Sequence, residues 1–193
     1  MKPGYPKVVP PADRPLIRRT GVRILVVADD EVLLIQDRDL GVPGSSWWAT
    51  PGGGVDPGES VLSAAVRELW EETGIEAVES QLVGPAYRRL VAHGYSDRVL
   101  CQAEEFFVLR TTRVPLQPQG LTDSEIAKRI EARWWPLSDL PPQVRPAKLV
   151  EILANAAAVG KPELELGESV VELTSEQLAR VNDVFSAFLA SAR

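Results

Sequence analysis

Residues 53–75 read GGVDPGESVLSAAVRELWEETGI, and this stretch predicts the helix around which the fold is built. Ser60 is a suitable N-cap, and the residues from Val61 to Thr73 keep helical periodicity. Gly74 suits the left-handed position that follows a last helical turn. The apolar residues that would anchor this helix to a sheet are Val61, Leu62, Ala65 and Leu69.

Three carboxylates lie on one face of the predicted helix, because Glu68, Glu71 and Glu72 are spaced i, i+3 and i+4. Like charges placed in this way repel each other, and a bound cation would turn that cost into a gain. Clustered oxygen donors suit Mg²⁺ or Mn²⁺ better than zinc. The glycines of residues 52–54 let the backbone pass close to a metal or phosphate, and Arg67 can hold carboxylates in place.

The segment resembles the Nudix box, G-x5-E-x7-R-E-U-x-E-E-x-G-U, in which U is bulky and aliphatic. Every specified position matches, and the matching residues are Gly53, Glu59, Arg67, Glu68, Leu69, Glu71, Glu72, Gly74 and Ile75. The preceding hairpin, the TPGGG entry and the downstream RWWPLSDL also look like Nudix hydrolases. The resemblance therefore extends from about residue 20 to residue 160.

The resemblance implies an α/β fold, an α/β/α sandwich with a mixed sheet. It also implies that Glu68 and Glu72 bind the metal directly, Glu71 directly or through water, and Gly52 through its carbonyl oxygen. Arg67 and Glu59 would orient this cluster. Many members add a carboxylate from a later loop, for which Glu125 and Glu131 are the candidates here, with Glu125 preferred.

The implied reaction is metal-assisted attack of water on one phosphorus of a diphosphate linkage in a small-molecule nucleotide or related diphosphate. A glutamate or a metal-bound hydroxide would accept the proton, and the choice of glutamate stays open. The nature of the group attached to the diphosphate also stays open, because the box specifies the reaction alone.

Candidate substrate-binding residues lie outside the box. Trp48 and Tyr87 are aromatic residues that could stack on a nucleobase, as could Trp47. Arg88 and Arg89 could bind phosphate, but alternation along a strand puts them on opposite faces, so at most one would point into the cleft.

Two alternatives to a pyrophosphohydrolase were weighed. A catalytically silent recognition module would commonly lack a box glutamate, and none is missing here. An isomerase of the same superfamily needs a catalytic cysteine, but Cys101 lies within a predicted strand and is expected to be a small core residue. His93 falls in a predicted surface loop, where a histidine more often has no catalytic role than acts as a base.

The bulk composition narrows the functional classes. A net charge of −6 disfavours nucleic-acid binding, and one cysteine excludes an internal disulfide. One histidine excludes a site that needs two. No apolar run is long enough for a membrane span, and the N-terminus lacks a secretory pattern, so a cytoplasmic enzyme is expected.

The chain is divided into an extended proline-rich arm (residues 1–17), a Nudix domain (18–160) and a C-terminal helical extension (161–193). The extension is predicted to contain a helix from Ser175 to Ser191, capped by Thr174 and Gln177. Its apolar stripe would pack on the domain or on a second copy, so a homodimer is allowed. The other predicted elements are strands at 22–28, 32–36, 47–50, 81–89, 98–109 and 134–137, loops at 91–97 and 113–124, and a helix at 148–159.

Overall fold

A computed structural model describes residues 8–156, 162–166 and 168–191 of the chain. Its strands are β1 (Leu16–Ala28), β2 (Glu31–Asp37), β3 (Trp47–Ala49), β4 (Val83–Gly94), β5 (Val99–Arg110), β6 (Arg129–Pro136), β7 (Val144–Arg145) and β8 (Glu163–Glu165). Its α-helices are α1 (Val61–Thr73), α2 (Asp123–Lys128), α3 (Leu149–Ala154) and α4 (Ser175–Ser191).

The strands form one mixed sheet in the order β7-β3-β2-β1-β5-β4-β8, with β6 paired to β2 outside this path. β1 runs parallel to β5 along nearly its whole length, from Leu16 opposite Val99 to Val27 opposite Arg110. β2 is antiparallel to β1, β3 and β6. The combination of parallel and antiparallel neighbours confirms the predicted mixed α/β sheet.

Alternation along β1 sends its apolar side chains to both faces of the sheet. Val22, Ile24 and Val26 pack with Leu69 of α1 on one face, whereas Leu25 packs with α3 on the other. A third cluster joins α4 to β4 and β5 through residues that include Val181 and Phe185 of α4. The sheet is therefore covered by helices on both sides, as predicted.

Several elements were predicted with correct bounds. α1 and α4 cover the predicted residues, and Thr174 and Gln177 exchange the capping hydrogen bonds expected at the start of α4. The stripe of α4 packs on its own domain, since Val181 and Phe185 are 0% and 3% exposed. A homodimer stays a prediction, and this stripe no longer supplies a surface for it.

Other bounds were wrong because distant pairing extends the strands. β1 begins at Leu16 instead of Val22, because the polar residues up to Gly21 pair with β5. β4 continues to Gly94, through part of the predicted loop at 91–97, and the hairpin turn lies at residues 95–98. β6 begins at Arg129 instead of Trp134, because it pairs with the whole of β2.

The second half of the chain contains further differences. α2 begins inside the predicted loop at 113–124, where Thr122 and Glu125 form a capping box. α3 begins one residue late and ends at Ala154, while residues 157–159 of the predicted helix lie outside the described residues. β8 joins the sheet beside β4, a pairing that local sequence does not reveal.

The described part of the N-terminal arm is anchored to the β4–β5 turn. The Val9 amide donates to the Ser96 carbonyl at 2.9 Å, and Arg14 Nε donates to the Val9 carbonyl at 3.0 Å. Residues 1–7 lie outside the described residues, so the division at residue 17 stays a prediction. In the described residues, no helix is both long and apolar enough to cross a membrane.

Candidate active site

Helix α1 is fixed at both ends by its own sequence. Ser60 Oγ accepts a hydrogen bond from the Ser63 amide at 3.0 Å, and Gly74 closes the helix with φ +75°. Between them, Leu69 is fully buried against the sheet. The opposite face is thereby presented to the loop that enters the helix.

The glycines before α1 allow two close approaches. Gly52 has φ +137°, and a Cβ there would lie 2.1 Å from the carbonyl oxygen of Val22. A Cβ on Gly53 would lie 2.4 Å from Oε1 of Glu68. The Val22 amide donates to the Gly53 carbonyl at 3.0 Å, which ties this loop to β1. Glycine is thus required where the backbone passes between β1 and the glutamates.

Arg67 gathers the carboxylates at the start of the site. Its Nε and Nη2 donate to the two oxygens of Glu59 at 3.0 and 2.9 Å. Its Nη1 donates to Glu68 at 2.9 Å and to Glu71 at 3.1 Å, and Nη2 also donates to the Gly54 carbonyl. This bidentate pair and its additional bonds fix the direction of the glutamates.

Glu72 is held from two sides. The Gly52 amide donates to its Oε2 at 2.7 Å, and Arg129 Nη2 donates to its Oε1 at 2.6 Å. Burial raises the pKa of Glu72 to about 7, with Arg129 acting in the opposite direction. Burial also raises the pKa of Glu68, and the hydrogen bond from Arg67 opposes that rise.

These glutamates border a cavity of about 280 Å³. Gly52, Glu68, Glu72 and Glu125 line it together, although they come from three segments of the chain. Glu71 is not among the described lining residues, and it contacts Arg67 and the loop at Gly120. Glu131 is exposed on β6 and is also absent from the described lining.

The donor set suits an oxygen-preferring divalent cation. Glu68, Glu72 and Glu125 offer carboxylate oxygens to the same cavity, and Gly52 contributes a carbonyl oxygen. Across the described residues, no three acidic, histidine or cysteine side chains are grouped closely enough to hold a metal ion. Their oxygens accept hydrogen bonds from arginines, from backbone amides and from the Thr122 hydroxyl. The chemistry of the donors fits an oxygen-preferring cation.

The predicted substrate-binding residues lie away from this cavity. Arg88 pairs with Glu105, while Arg89 is 3% exposed and pairs with Glu104 inside the sheet. Trp48 and Tyr87 belong to the core cluster under α3. Arg88 and Arg89 point to opposite faces as predicted, and neither is among the described lining residues of the cavity.

Other residues take the places expected for substrate contacts. The cationic side chains that line the cavity are Arg19, Arg23, Arg38, Arg98 and Lys128. Trp47 and Tyr95 are its aromatic residues, with ring centroids 5.9 Å apart. Residues 19, 21 and 23 alternate along the chain, which puts Arg19 and Arg23 on one face of a strand. This spacing is the sequence signal that could have identified these two arginines.

Behind the cavity lies a buried network of charges. Glu104 is 1% exposed and accepts from Arg23 at 3.0 Å, from Arg89 at 2.7 Å and from Gln102 at 2.6 Å. Burial alone would raise the pKa of Glu104, but Arg89 and Arg23 hold it well below its usual range. Arg23 also donates to the Gly52 carbonyl at 3.0 Å, so this network supports the glycine loop.

His93 and Cys101 take no direct part in the cavity. His93 was expected in a surface loop, yet it is 4% exposed within β4, and burial lowers its pKa to about 3. Cys101 is fully buried beside α4, as expected for a core residue, and burial raises its pKa to about 11. A thiol with this pKa is a poor match for the catalytic cysteine of an isomerase.

Known proteins share this sequence and fold. A model of the NUDIX domain matches residues 17–155. An RNA pyrophosphohydrolase of Rhodopseudomonas palustris strain BisA53 is 30% identical over 159 residues, which cover 75% of this chain and 90% of that protein. Human 8-oxo-dGDP phosphatase NUDT18 is 30% identical over 158 residues, which cover 77% of this chain and 42% of that protein.

Solved structures agree with the fold. A MutT NUDIX hydrolase from Burkholderia pseudomallei aligns with a TM-score of 0.52 and 24% identity, over 71% of this chain and 97% of that one. A MutT protein from Methanosarcina mazei Go1 aligns with a TM-score of 0.51 and 22% identity, over 75% of this chain and 95% of that one.

The mixed sheet lies between helices, and the glutamate-bearing helix α1 borders an arginine-lined cavity. The chain belongs to the Nudix family. It is a Nudix pyrophosphohydrolase, and members of this family generally use divalent metal ions.

Proposed function

We propose that the chain hydrolyses the diphosphate linkage of a nucleotide substrate with Mg²⁺ or Mn²⁺ bound by Glu68, Glu72, Glu125 and the Gly52 carbonyl. Glu71 would bind the cation directly or through water. The observation that carries this proposal is that oxygen donors from separate segments line the same cavity as several cationic side chains.

The residues of the chain would divide the work. A divalent cation supplies charge neutralisation at the phosphate oxygens and a lowered pKa of bound water. Arg67 and Glu59 would keep the glutamates oriented, since Arg67 contacts each of Glu59, Glu68 and Glu71. Glu125, whose amide and carboxylate both bond to Thr122, would be held at the cavity by the start of α2.

The phosphates would be bound by arginine and lysine. Arg19, Arg38, Arg98 and Lys128 line the cavity, and guanidinium groups match phosphate oxygens well. Trp47 and Tyr95 offer aromatic surface for the base of a nucleotide. Trp48, Tyr87, Arg88 and Arg89 are not among the described lining residues of this cavity, and we propose no substrate contact for them.

The 5′ end of an RNA is a second candidate substrate. The relative from Rhodopseudomonas palustris is named an RNA pyrophosphohydrolase and matches most of this chain. The net charge of −6 favours a small nucleotide. Only the terminal phosphates of an RNA would need to enter the cavity, however, so both classes belong in the test.

A substrate panel tests the proposal. It contains nucleoside triphosphates, oxidised deoxyguanosine diphosphate, nucleotide sugars, ADP-ribose and a 5′-triphosphorylated RNA, each with Mg²⁺ or Mn²⁺ and with a chelator. We expect metal-dependent release of phosphate or of a mononucleotide from at least one of them. Absence of turnover on every substrate would contradict the proposal.

Replacing Glu72 tests the site itself. We expect Glu72→Gln to lower kcat by roughly 10²-fold or more, because a neutral amide binds a hard cation weakly. Circular dichroism should show an unchanged fold. Glu76→Gln is the matched control, since Glu76 is exposed just past the helix and should leave kcat unchanged. Equal kcat values for Glu72→Gln and Glu76→Gln would show that Glu72 has no role in turnover.

A further inference from the structure

Arg129 forms a buried ion pair with Glu72 across a long stretch of chain. Nη2 of Arg129 lies 2.6 Å from Glu72 Oε1, and Nη1 donates to the backbone carbonyl of Glu72 at 2.8 Å. The two side chains are only 10% and 11% exposed. The pair is therefore shielded from solvent and held by two hydrogen bonds.

The proposed ligand groups of Gly52, Glu68 and Glu72 each accept a hydrogen bond from an arginine. Arg23 donates to the Gly52 carbonyl at 3.0 Å, and Arg67 donates to Glu68 Oε1 at 2.9 Å. These two arginines are also anchored elsewhere, Arg23 by Glu104 and Arg67 by Glu59. They would keep their places when a cation took the oxygens.

Arg129 is anchored differently. Both of the described hydrogen bonds of its side chain go to Glu72. Among the described residues, its buried Nε has no hydrogen-bond partner. A guanidinium in this position offers its positive charge where a divalent cation would approach the carboxylate. Like charges a few ångströms apart repel each other, and they do so more strongly when they are shielded from solvent.

We propose that Arg129 is a positioning residue that competes with the divalent cation for Glu72 and thereby sets the metal affinity of the enzyme. The proposal rests on the proposed function, because it takes Glu72 as a metal ligand. Arg129 neutralises Glu72 in the metal-free protein and withdraws from Oε1 as the cation binds.

Direct Mn²⁺ binding to the full chain tests the proposal without turnover. Arg129→Gln and Arg129→Met remove the competing charge, and we expect each to bind Mn²⁺ roughly five- to tenfold more tightly by titration calorimetry. Arg129→Lys keeps the charge and should stay near wild type. Arg133→Gln is the matched control, because Arg133 is exposed on the same strand and lies over the ring of Trp135.

Thermal unfolding with and without Mn²⁺ completes the test. The metal-free Gln and Met variants should unfold at lower temperature than wild type, because Glu72 is left buried without its partner. Saturating Mn²⁺ should restore most of this loss.

Two results would contradict the proposal that Arg129 competes with the cation for Glu72. One is Mn²⁺ binding to both variants that is no tighter than to wild type. The other is failure of both variants to fold even with saturating Mn²⁺, since a competitor is dispensable once the cation is bound. Failure of the proposed function is distinguishable, because wild type would then bind no Mn²⁺ and cleave no substrate.

Discussion

Gly52 and Gly53 are adjacent, yet they lack a side chain for different reasons. A Cβ on Gly52 would meet the backbone of Val22, which cannot move without breaking the sheet. A Cβ on Gly53 would meet the carboxylate of Glu68, the far end of a side chain that can rotate. The first glycine is required by the fold, and the second is required by the placement of a proposed ligand.

Alanine at these two positions should therefore have separable effects. We expect Gly52→Ala to lower the free energy of unfolding by about 1–3 kcal/mol or more, because its φ is +137° and the contact is with backbone. Gly53→Ala should fold normally but lose activity by roughly 10²-fold, since Glu68 is displaced. Chemical denaturation and kcat/KM distinguish the cases, and an unstable Gly53→Ala would refute this reading.

At the residue scale, sequence reasoning reached the glutamates because they lie within one helix and their spacing is local. It did not reach Arg129, whose partner Glu72 lies 57 residues earlier in the chain. It also did not reach Tyr95 or Arg98, because their approach to the cavity depends on where the β4–β5 turn is placed. Contacts that tertiary pairing creates leave little local trace.

The elements differ in how strongly their own residues specify them. Helix α1 was predicted correctly because Ser60 and Gly74 terminate it and a long apolar face anchors it. Residues 16–20 of β1 are largely polar, and they become a strand only because β5 lies alongside. Helix α2 is too short for periodicity to reveal, so its capping box is the only local signal.

The caps of α2 and α4 offer a matched comparison. Thr122→Ala removes the cap that holds Glu125 at the start of α2, and we expect kcat/KM to fall several-fold while stability falls by about 1 kcal/mol or less. Thr174→Ala removes an equivalent cap from α4, far from the cavity lining, and should cost about 1 kcal/mol with unchanged kcat/KM. Equal kinetic effects of the two changes would contradict a role for α2 in the site.

The stability of the whole molecule should depend on pH through His93. Its pKa in the folded state is about 3 because of burial, whereas an unfolded histidine titrates near pH 6.5. Below about pH 6.5 the unfolded chain binds a proton at His93 that the folded protein does not, so the contribution of His93 to stability falls by about 1.4 kcal/mol per pH unit as the pH decreases. Above pH 7.5 this contribution is complete. Glu72 acts in the opposite direction, because its folded pKa of about 7 lies above the usual value of a glutamate.

Urea denaturation between pH 7.5 and 5.0 measures this dependence, with His93→Gln as the comparison. The variant should be less stable at pH 7.5 because packing beside Tyr95 is lost, and the difference in free energy of unfolding between wild type and variant should shrink as the pH falls to 5.0. An identical pH dependence in both proteins would assign the acid sensitivity to other groups. Arg89 and Glu104 keep their charges throughout this range and do not contribute.

Because β8 follows residue 160 and joins the sheet, the smallest segment that folds as a unit extends beyond that residue. Arg89 is buried in the sheet, where Glu165 of β8 and Glu168, three residues further on, are its partners. A protein truncated to residues 17–155, which the family model matches, would leave the guanidinium of Arg89 buried with Glu104 as its remaining carboxylate partner. It would also expose the apolar surface beneath α4. The C-terminal segment is thus an integral part of the domain, and truncated forms made for crystallisation or expression would be expected to aggregate.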